Sequence, residues 1–238
     1  MAYGGLLSAA AVVALWLLTL FARTPRAALV LQCAGARLLL PCLGIRLVVR
    51  GAWPARGAGA RVYVANHTSY LDIPIMLAAL DRDFAFVTKR ELLDWPFISL
   101  ITRAGAHIPV DRDRLESRGA VVGRIVKAAR AGRSVLVFPE ATFSYDDALR
   151  PFHGGAFKAA VAAGVPLVPL AVVGVSRVWS QHARFPRPGV VEIWVGDALE
   201  TARQGDETAP DETARVEALR DAAATFISTH VGLPQRRA

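Results

Sequence analysis

His67 and Asp72 are the two residues of this sequence whose types and spacing could perform acid–base chemistry. They lie five positions apart in the polar segment of residues 66–72. On one ideal helix this spacing would separate the side chains by about 140°, so they can meet only if His67 precedes a helix that begins near Asp72. A carboxylate placed there would hold the imidazole in one tautomer and stabilise its protonated form. His67 is therefore a candidate general base.

A second polar segment follows the apolar run of residues 134–138. It reads Pro139, Glu140, Ala141, Thr142 and offers a carboxylate, a hydroxyl and backbone N–H groups. Such groups can hold a headgroup hydroxyl or a phosphate. A simple turn with a solvated Glu140 is the alternative, and it would be preferred if this motif stood alone.

Cationic side chains provide candidate phosphate contacts. Arg112 follows a short apolar strand, and a guanidinium in that position can form two hydrogen bonds with a phosphate. Lys89, after the apolar run of residues 84–88, is a further candidate. A surface ion pair is the alternative for both. His107 is expected to be structural, because no partner lies near it in the sequence.

The elements that must position these residues begin at residue 45, where β-branched runs alternate with helical stretches. The alternation predicts an α/β domain with a mixed, largely buried sheet flanked by helices. Sites in such folds lie just beyond the carboxyl ends of strands. The predicted strands are residues 45–50, 61–65, 84–88, 134–138, 167–173 and 190–195, and the predicted helices are residues 73–80, 96–102, 115–131, 155–163 and 211–231.

The N-terminal part of the chain has a different character. Residues 4–21 contain no charge, and as a helix they would be about 27 Å long, close to a hydrocarbon core of about 30 Å. Residues 27–49 are apolar but interrupted, which favours an interfacial helix or one that folds back on the first. We therefore expect a membrane-attached helical element at residues 1–44 and a catalytic domain at residues 45–238. A buried core helix is the alternative for residues 4–21.

The charge distribution supports this division. The net charge is +8, and the first 71 residues hold seven arginines and no acidic residue. Arginines spread through apolar sequence suit the headgroup layer of a bilayer better than a nucleic acid. We expect a cell-membrane location with the catalytic domain on the cytoplasmic side and no nucleic-acid partner. Two cysteines are too few for a zinc site or a disulfide scaffold.

Together these segments resemble a known family. The order of residues 66–72, 105–112, 138–142 and 165–169 resembles the four sequence blocks of the glycerolipid acyltransferases, which include 1-acyl-sn-glycerol-3-phosphate acyltransferases and other lysophospholipid acyltransferases. The resemblance covers roughly residues 45–200. No single block is specific, but their combination is.

The resemblance implies a role for each site residue. His67 would deprotonate the free hydroxyl of a lysophospholipid, which attacks the thioester of acyl-CoA or acyl-ACP, and Asp72 would orient His67. Arg112 and the loop of Glu140, Ala141 and Thr142 would bind the headgroup, with Lys89, Asn66 and Ser69 as further substrate contacts. The transfer would be direct, without a metal or another cofactor, and the partners would be membrane lipids and the acyl carrier.

Two residues depart from the family pattern in the third block, which usually reads Glu-Gly-Thr-Arg. Ala141 replaces the glycine, which adopts a positive φ more easily than alanine. Phe143 replaces the arginine, which is a possible phosphate contact. The favoured acceptor is 1-acyl-sn-glycerol-3-phosphate, which would give phosphatidic acid. The alternatives are another acceptor (glycerol-3-phosphate or a non-phosphate lysolipid), a thioesterase or esterase, and a non-catalytic lipid-binding protein.

Overall fold

The fold is taken from a computed structural model of the 238-residue chain. Residues 1–16 and several short internal segments lie outside the part that the structure describes. The described residues are 17–55, 57–80, 83–110, 117–143, 148–180, 183, 185–201 and 211–236.

A seven-stranded mixed sheet forms the centre of the molecule, in the order β1-β7-β6-β2-β5-β3-β4. β2 lies in the middle and runs parallel to both β5 and β6, whereas β6 and β7 are antiparallel. The mixed α/β class expected from the sequence is confirmed. The strands are β1 Ile45–Arg50, β2 Val62–Ala65, β3 Phe84–Lys89, β4 Ile108–Val110, β5 Ser134–Val137, β6 Leu167–Val173 and β7 Gly189–Val195.

Helices flank the sheet, and their bounds differ little from those predicted. The sequence indicates the first helix, α1, only in outline and does not predict the one-turn helix α6. The predicted start of α4 at residue 115 lies outside the described residues. The helices are α1 Pro25–Cys42, α2 Asp72–Ala79, α3 Pro96–Ala104, α4 Ser117–Arg130, α5 Gly155–Ala163, α6 Val175–Val178 and α7 Glu212–Val231, with 3₁₀ turns at Thr19–Phe21 and Arg90–Asp94.

Both faces of β2 are buried, which explains its continuous apolar sequence. Side chains of successive residues in a strand point to opposite faces of a sheet. Tyr63 and Ala65 join the core that includes residues of α1 and α2, whereas Val62 and Val64 join the core that includes residues of α4, α5 and α7. The strand that leads into the His67 segment is therefore held from both sides.

Helix α1 packs against the α/β body through one face. Thr24 caps its start, because the Thr24 hydroxyl accepts a hydrogen bond from the Ala27 N–H at 3.2 Å. Leu29, Cys33 and Leu40 are buried in the core, and Arg37 donates to the Ala78 carbonyl of α2 at 3.0 Å. The expected membrane attachment of residues 1–44 stays a prediction.

The described residues give no support to a transmembrane helix. None of the helices in these ranges combines the length and the apolar character that a bilayer span requires. Most of the predicted span of residues 4–21 lies outside the described residues.

A buried polar network ties α1 to the sheet. The Nδ1 atom of His107 accepts a hydrogen bond from the Phe86 N–H at 3.1 Å, and its Nε2 atom lies 3.2 Å from the side-chain oxygen of Gln32. The Gln32 amide in turn donates to the Ile101 carbonyl at 3.0 Å. Burial, with a smaller contribution from the charge of Arg133, lowers the pKa of His107 to about 3. His107 is thus a neutral structural residue in the folded protein.

This network predicts a specific loss of stability in acid. Below about pH 6.5 the unfolded chain protonates His107 while the folded protein does not. The free energy of unfolding should therefore fall by up to about 1.4 kcal/mol per pH unit between pH 6.5 and 3 from this residue alone. His107→Gln should flatten this part of the profile in urea denaturation, whereas His153→Gln, at an exposed position, should leave its slope unchanged. Equal slopes for the wild type and His107→Gln would contradict the assignment.

Candidate active site

The strand order brings two polar segments together at one edge of the sheet. β2 and β5 are parallel, and Val64 of β2 lies opposite Val137 of β5. The segments that follow these strands therefore leave the same edge side by side. They contain His67 and Glu140, respectively.

His67 and Asp72 form the contact that their spacing requires. His67 lies in the turn before α2, and Asp72 is the first residue of that helix. The Nδ1 atom of His67 is 2.8 Å from Oδ2 of Asp72. The Asp72 side chain is fully buried, and that of His67 is 12% exposed.

The surroundings of Asp72 fix the tautomer of His67. Oδ2 of Asp72 also accepts the backbone N–H groups of Thr68 at 2.7 Å and Ser69 at 2.9 Å. An ionised carboxylate is only an acceptor, so Nδ1 of His67 must be the donor in their shared hydrogen bond. Nε2 of neutral His67 then carries the lone pair and can accept a proton.

Aromatic rings enclose the imidazole of His67. The Phe138 ring stacks on it with a centroid distance of 4.1 Å and an interplanar angle of 15°. The Phe143 ring lies 4.3 Å away at 52°, and Tyr70 contacts Phe143 edge-on at 4.7 Å. Sequence reasoning did not assign Phe138 and Tyr70 to the site. Tyr70 lies within the polar segment of residues 66–72 and Phe138 directly precedes the one that begins at Pro139, and these positions are the signal that could have identified them.

Glu140 is buried between two segments instead of facing solvent. Glu140 is only 2% exposed. Oε1 accepts the backbone N–H of His67 at 2.8 Å, and Oε2 accepts that of Arg150 at 2.9 Å. The alternative of a solvated Glu140 is therefore wrong. The predicted contact between Glu140 and a headgroup stays a prediction.

The turn that carries Glu140 has an unusual backbone. Ala141 adopts φ +60°. This left-handed conformation is unfavourable in free energy for a residue that has a Cβ atom. The Ala141 N–H donates to the Phe138 carbonyl at 3.1 Å, which closes the turn. Thr142, the next residue, is exposed and available to a ligand.

Asn66 and Ser69 make local contacts. The side-chain amide of buried Asn66 donates to the Val172 carbonyl at 2.9 Å and accepts the Val172 N–H at 2.7 Å, so it extends the pairing of β2 with β6. The Ser69 hydroxyl accepts the Leu71 N–H at 3.2 Å. Both side chains shape the His67 segment, and their contacts with a substrate stay predictions.

Of the two predicted cationic phosphate contacts, the structure describes only Lys89. Lys89 ends β3, which is parallel to β5, and its Nζ atom lies 3.5 Å from a carboxylate oxygen of Glu91. No described contact joins Lys89 to His67. Arg112 lies outside the described residues.

An apolar cavity of about 440 Å³ adjoins the site. Its walls come from the sheet, α4 and α5, and from the turn of Phe138 to Ala141. Phe138 lines the cavity and also stacks on His67, so the two are neighbours. The principal wall residues are Val87, Val110, Val122, Ile125, Val137 and Phe138, with Lys158 and His153 as polar members.

The fold and the His–Asp pair define an α/β protein equipped for general-base chemistry. Comparison with known proteins identifies its family: residues 46–173 match the family model described as Acyltransferase. The chain belongs to this family, which confirms the resemblance found in the sequence.

Several relatives have acyltransferase names. The chain is 31% identical over 139 residues to the 1-acyl-sn-glycerol-3-phosphate acyltransferase of Salmonella typhimurium, covering 58% of this chain and 57% of that protein. It is 34% identical over 111 residues to the lyso-ornithine lipid O-acyltransferase of Pseudomonas aeruginosa, covering 47% and 42%. The chain thus spans about half the length of the curated relatives it matches.

A solved structure shares the fold. The crystal structure of the 1-acyl-sn-glycerophosphate acyltransferase from Thermotoga maritima superposes with a TM-score of 0.73, covering 98% of this chain and 88% of that one. The sequence identity is 21%, so this likeness supports the fold alone.

The strained turn generates a prediction about stability. Ala141→Gly should raise the free energy of unfolding, because glycine adopts a positive φ without a Cβ clash. Glycine also loses more conformational entropy on folding, so the net increase should be about 0.5–1 kcal/mol. Ala222→Gly, at an exposed position inside α7, should lower it by about 1 kcal/mol. Urea denaturation of both variants measures the two effects. The same sign for both changes would contradict a strained Ala141.

Proposed function

We propose that this protein transfers a fatty acyl group from acyl-CoA or acyl-ACP to the free hydroxyl of a lysophospholipid. The favoured acceptor is 1-acyl-sn-glycerol-3-phosphate, which gives phosphatidic acid. The observation that carries the proposal is the 2.8 Å contact between Nδ1 of His67 and Oδ2 of Asp72, in a chain of the Acyltransferase family.

The chemistry needs one base and one orienting carboxylate. Nε2 of His67 takes the proton of the acceptor hydroxyl while its oxygen attacks the thioester carbonyl carbon. The new C–O bond forms, the C–S bond breaks, and the departing thiolate receives the proton from Nε2. Asp72 stabilises the imidazolium that exists between these two proton transfers.

The cavity beside Phe138 supports the lipid character of the substrates. A fatty acyl chain is apolar and needs a dry, apolar wall close to the reacting carbonyl. The side chains of Val87, Val122 and Val137 provide such a wall. Lys89, Arg112 and Thr142 remain our candidates for the phosphate of the acceptor.

The membrane is the expected source of the acceptor. Leu17, Leu18, Leu20 and Phe21 are exposed apolar residues, with Phe21 79% exposed. Arg23, two residues after Phe21, could meet anionic headgroups. These exposed residues support membrane association of the N-terminal element, and the location at the cytoplasmic side of the cell membrane is proposed from the sequence.

One observation favours a different acceptor within the same family. Phe143 places an aromatic ring beside His67, at the position where the family pattern has an arginine. An aromatic ring cannot pair with a phosphate charge. A lysolipid without a phosphate monoester is therefore the second candidate acceptor.

The base is tested by removing its side chain. His67→Ala should reduce acyl transfer by about 10²–10⁴-fold or more, because it removes general-base catalysis, while membrane association persists. His230→Ala, in α7 where the His230 ring contacts Trp194 and Phe226, is the control. The assay follows lipid product by mass spectrometry with one acyl-CoA and a panel of lysolipids.

The outcomes of this assay separate the alternatives. Retained transfer by His67→Ala would contradict the mechanism. Free fatty acid released by the wild type without an acceptor would favour a thioesterase or esterase. Absence of turnover by the wild type, with lipid binding unchanged in His67→Ala, would favour a non-catalytic lipid-binding protein.

The role of Phe143 predicts a change in acceptor preference. Phe143→Arg should raise kcat/KM for 1-acyl-sn-glycerol-3-phosphate, relative to that for a monoacylglycerol, by about 10- to 10²-fold, since a charge-assisted hydrogen bond is worth roughly 1.5–3 kcal/mol. Phe143→Leu removes the ring without adding a charge and should leave this ratio unchanged. An unchanged ratio in Phe143→Arg, or an equal change in Phe143→Leu, would exclude a phosphate contact at this position.

A further inference from the structure

Glu140 connects the catalytic segment to a second part of the chain. One of its carboxylate oxygens accepts the N–H of His67 and the other accepts the N–H of Arg150, at 2.8 and 2.9 Å. These bonds are to main-chain groups, so they fix the course of the backbone. The side chain thus holds residue 67 and residue 150 at a set separation.

The C-terminal segment of residues 234–236 holds the Arg150 end of this connection. It lies alongside Leu149 in a parallel bridge between Leu149 and Gln235. The Leu149 N–H donates to the Pro234 carbonyl at 2.9 Å, and the Arg236 N–H donates to the Leu149 carbonyl at 2.9 Å. Leu149 itself is fully buried.

We propose that Glu140 is a positioning residue for the base His67, and that residues 234–236 act as a strap that secures the other anchor of Glu140 through Leu149 and Arg150. The proposal deepens the acyl transfer proposed above and rests on it. The proposed connection is a continuous series of hydrogen bonds from residues 234–236 to the backbone of His67.

Burial separates this role from headgroup binding. Glu140 is 2% exposed, and each of its oxygens already accepts a backbone N–H. A lysolipid headgroup would have to displace one of these bonds and leave a buried donor without an acceptor, which is costly. Thr142, two residues later, is exposed and can meet a headgroup without that cost.

Two carboxylates then divide the task of placing the base. Asp72 binds the imidazole at Nδ1 and fixes the direction of the ring, whereas Glu140 binds the N–H of His67 and fixes the backbone from which the ring projects. The position of Nε2 depends on both. A displacement of about 1 Å in a reacting group can lower the rate up to about 10²-fold.

The first test replaces Glu140 with an isosteric amide. In Glu140→Gln the NH₂ group cannot accept an N–H, so either His67 or Arg150 loses its acceptor. We expect kcat to fall about 10–10²-fold with KM for the lysolipid within about twofold of the wild type. Thr142→Ala is the comparison variant and should instead raise KM. A raised KM with unchanged kcat in Glu140→Gln would overturn the positioning role.

The second test removes one hydrogen bond of the strap. Arg236→Pro deletes the N–H that binds the Leu149 carbonyl, whereas Arg236→Ala deletes the side chain and keeps that N–H. We expect kcat to be about three- to tenfold lower in Arg236→Pro than in Arg236→Ala, within the range for indirect displacement of a reacting group. Equal kcat values for the two variants would overturn the role of the strap.

A third measurement keeps the inference testable apart from the reaction. Amide hydrogen exchange in the peptide that contains residues 66–72 should be faster in Glu140→Gln than in the wild type, and faster in Arg236→Pro than in Arg236→Ala, at unchanged far-ultraviolet circular dichroism. Unchanged exchange would overturn the proposal even if acyl transfer is confirmed. Faster exchange in a protein that transfers no acyl group would support the connection and contradict only the proposed function.

Discussion

The site depends on the parallel pairing of β2 with β5. Because Val64 lies opposite Val137, the chain leaves both strands at the same edge and at the same level. The turn after β5 can therefore deliver the ring of Phe138 and the carboxylate of Glu140 to His67, which follows β2. A shift of this register by one residue would turn every side chain of β2 to the other face of the sheet.

The polar residues of the site serve mainly to hold backbone. Asp72, Glu140 and Asn66 are buried, and each accepts backbone N–H groups from a neighbouring segment. Buried polar groups require such partners, because an unpaired one costs free energy. The hydrogen bond to Asp72 occupies Nδ1 of His67 and leaves Nε2 as the basic atom of the ring. The buried polar residues thus hold the backbone around the base.

The parts of the structure that could be predicted from the sequence are those with local causes. The contact between His67 and Asp72 spans five residues and follows from the geometry of a turn before a helix. The strand bounds follow from apolar runs of the right length. The partner of Glu140 could not be predicted in this way, because His67 lies 73 residues away and meets it only through the strand order. The stacking of Phe138 was missed for the same reason, since in the sequence it resembles the last residue of a strand.

The two departures from the family pattern act on one turn. Ala141 adopts a left-handed backbone, which costs roughly 1–2 kcal/mol relative to an ordinary conformation. The packing of Phe143 against His67 and Tyr70 returns a comparable amount, about 0.5–1.5 kcal/mol for an aromatic pair. The hydrogen bond from the Ala141 N–H to the Phe138 carbonyl closes the turn, and ring packing supports it at a position where the family pattern has a charge. The same turn presents Glu140 and Phe138 to His67, so Phe143, which we propose to influence the choice of acceptor, also packs against the base.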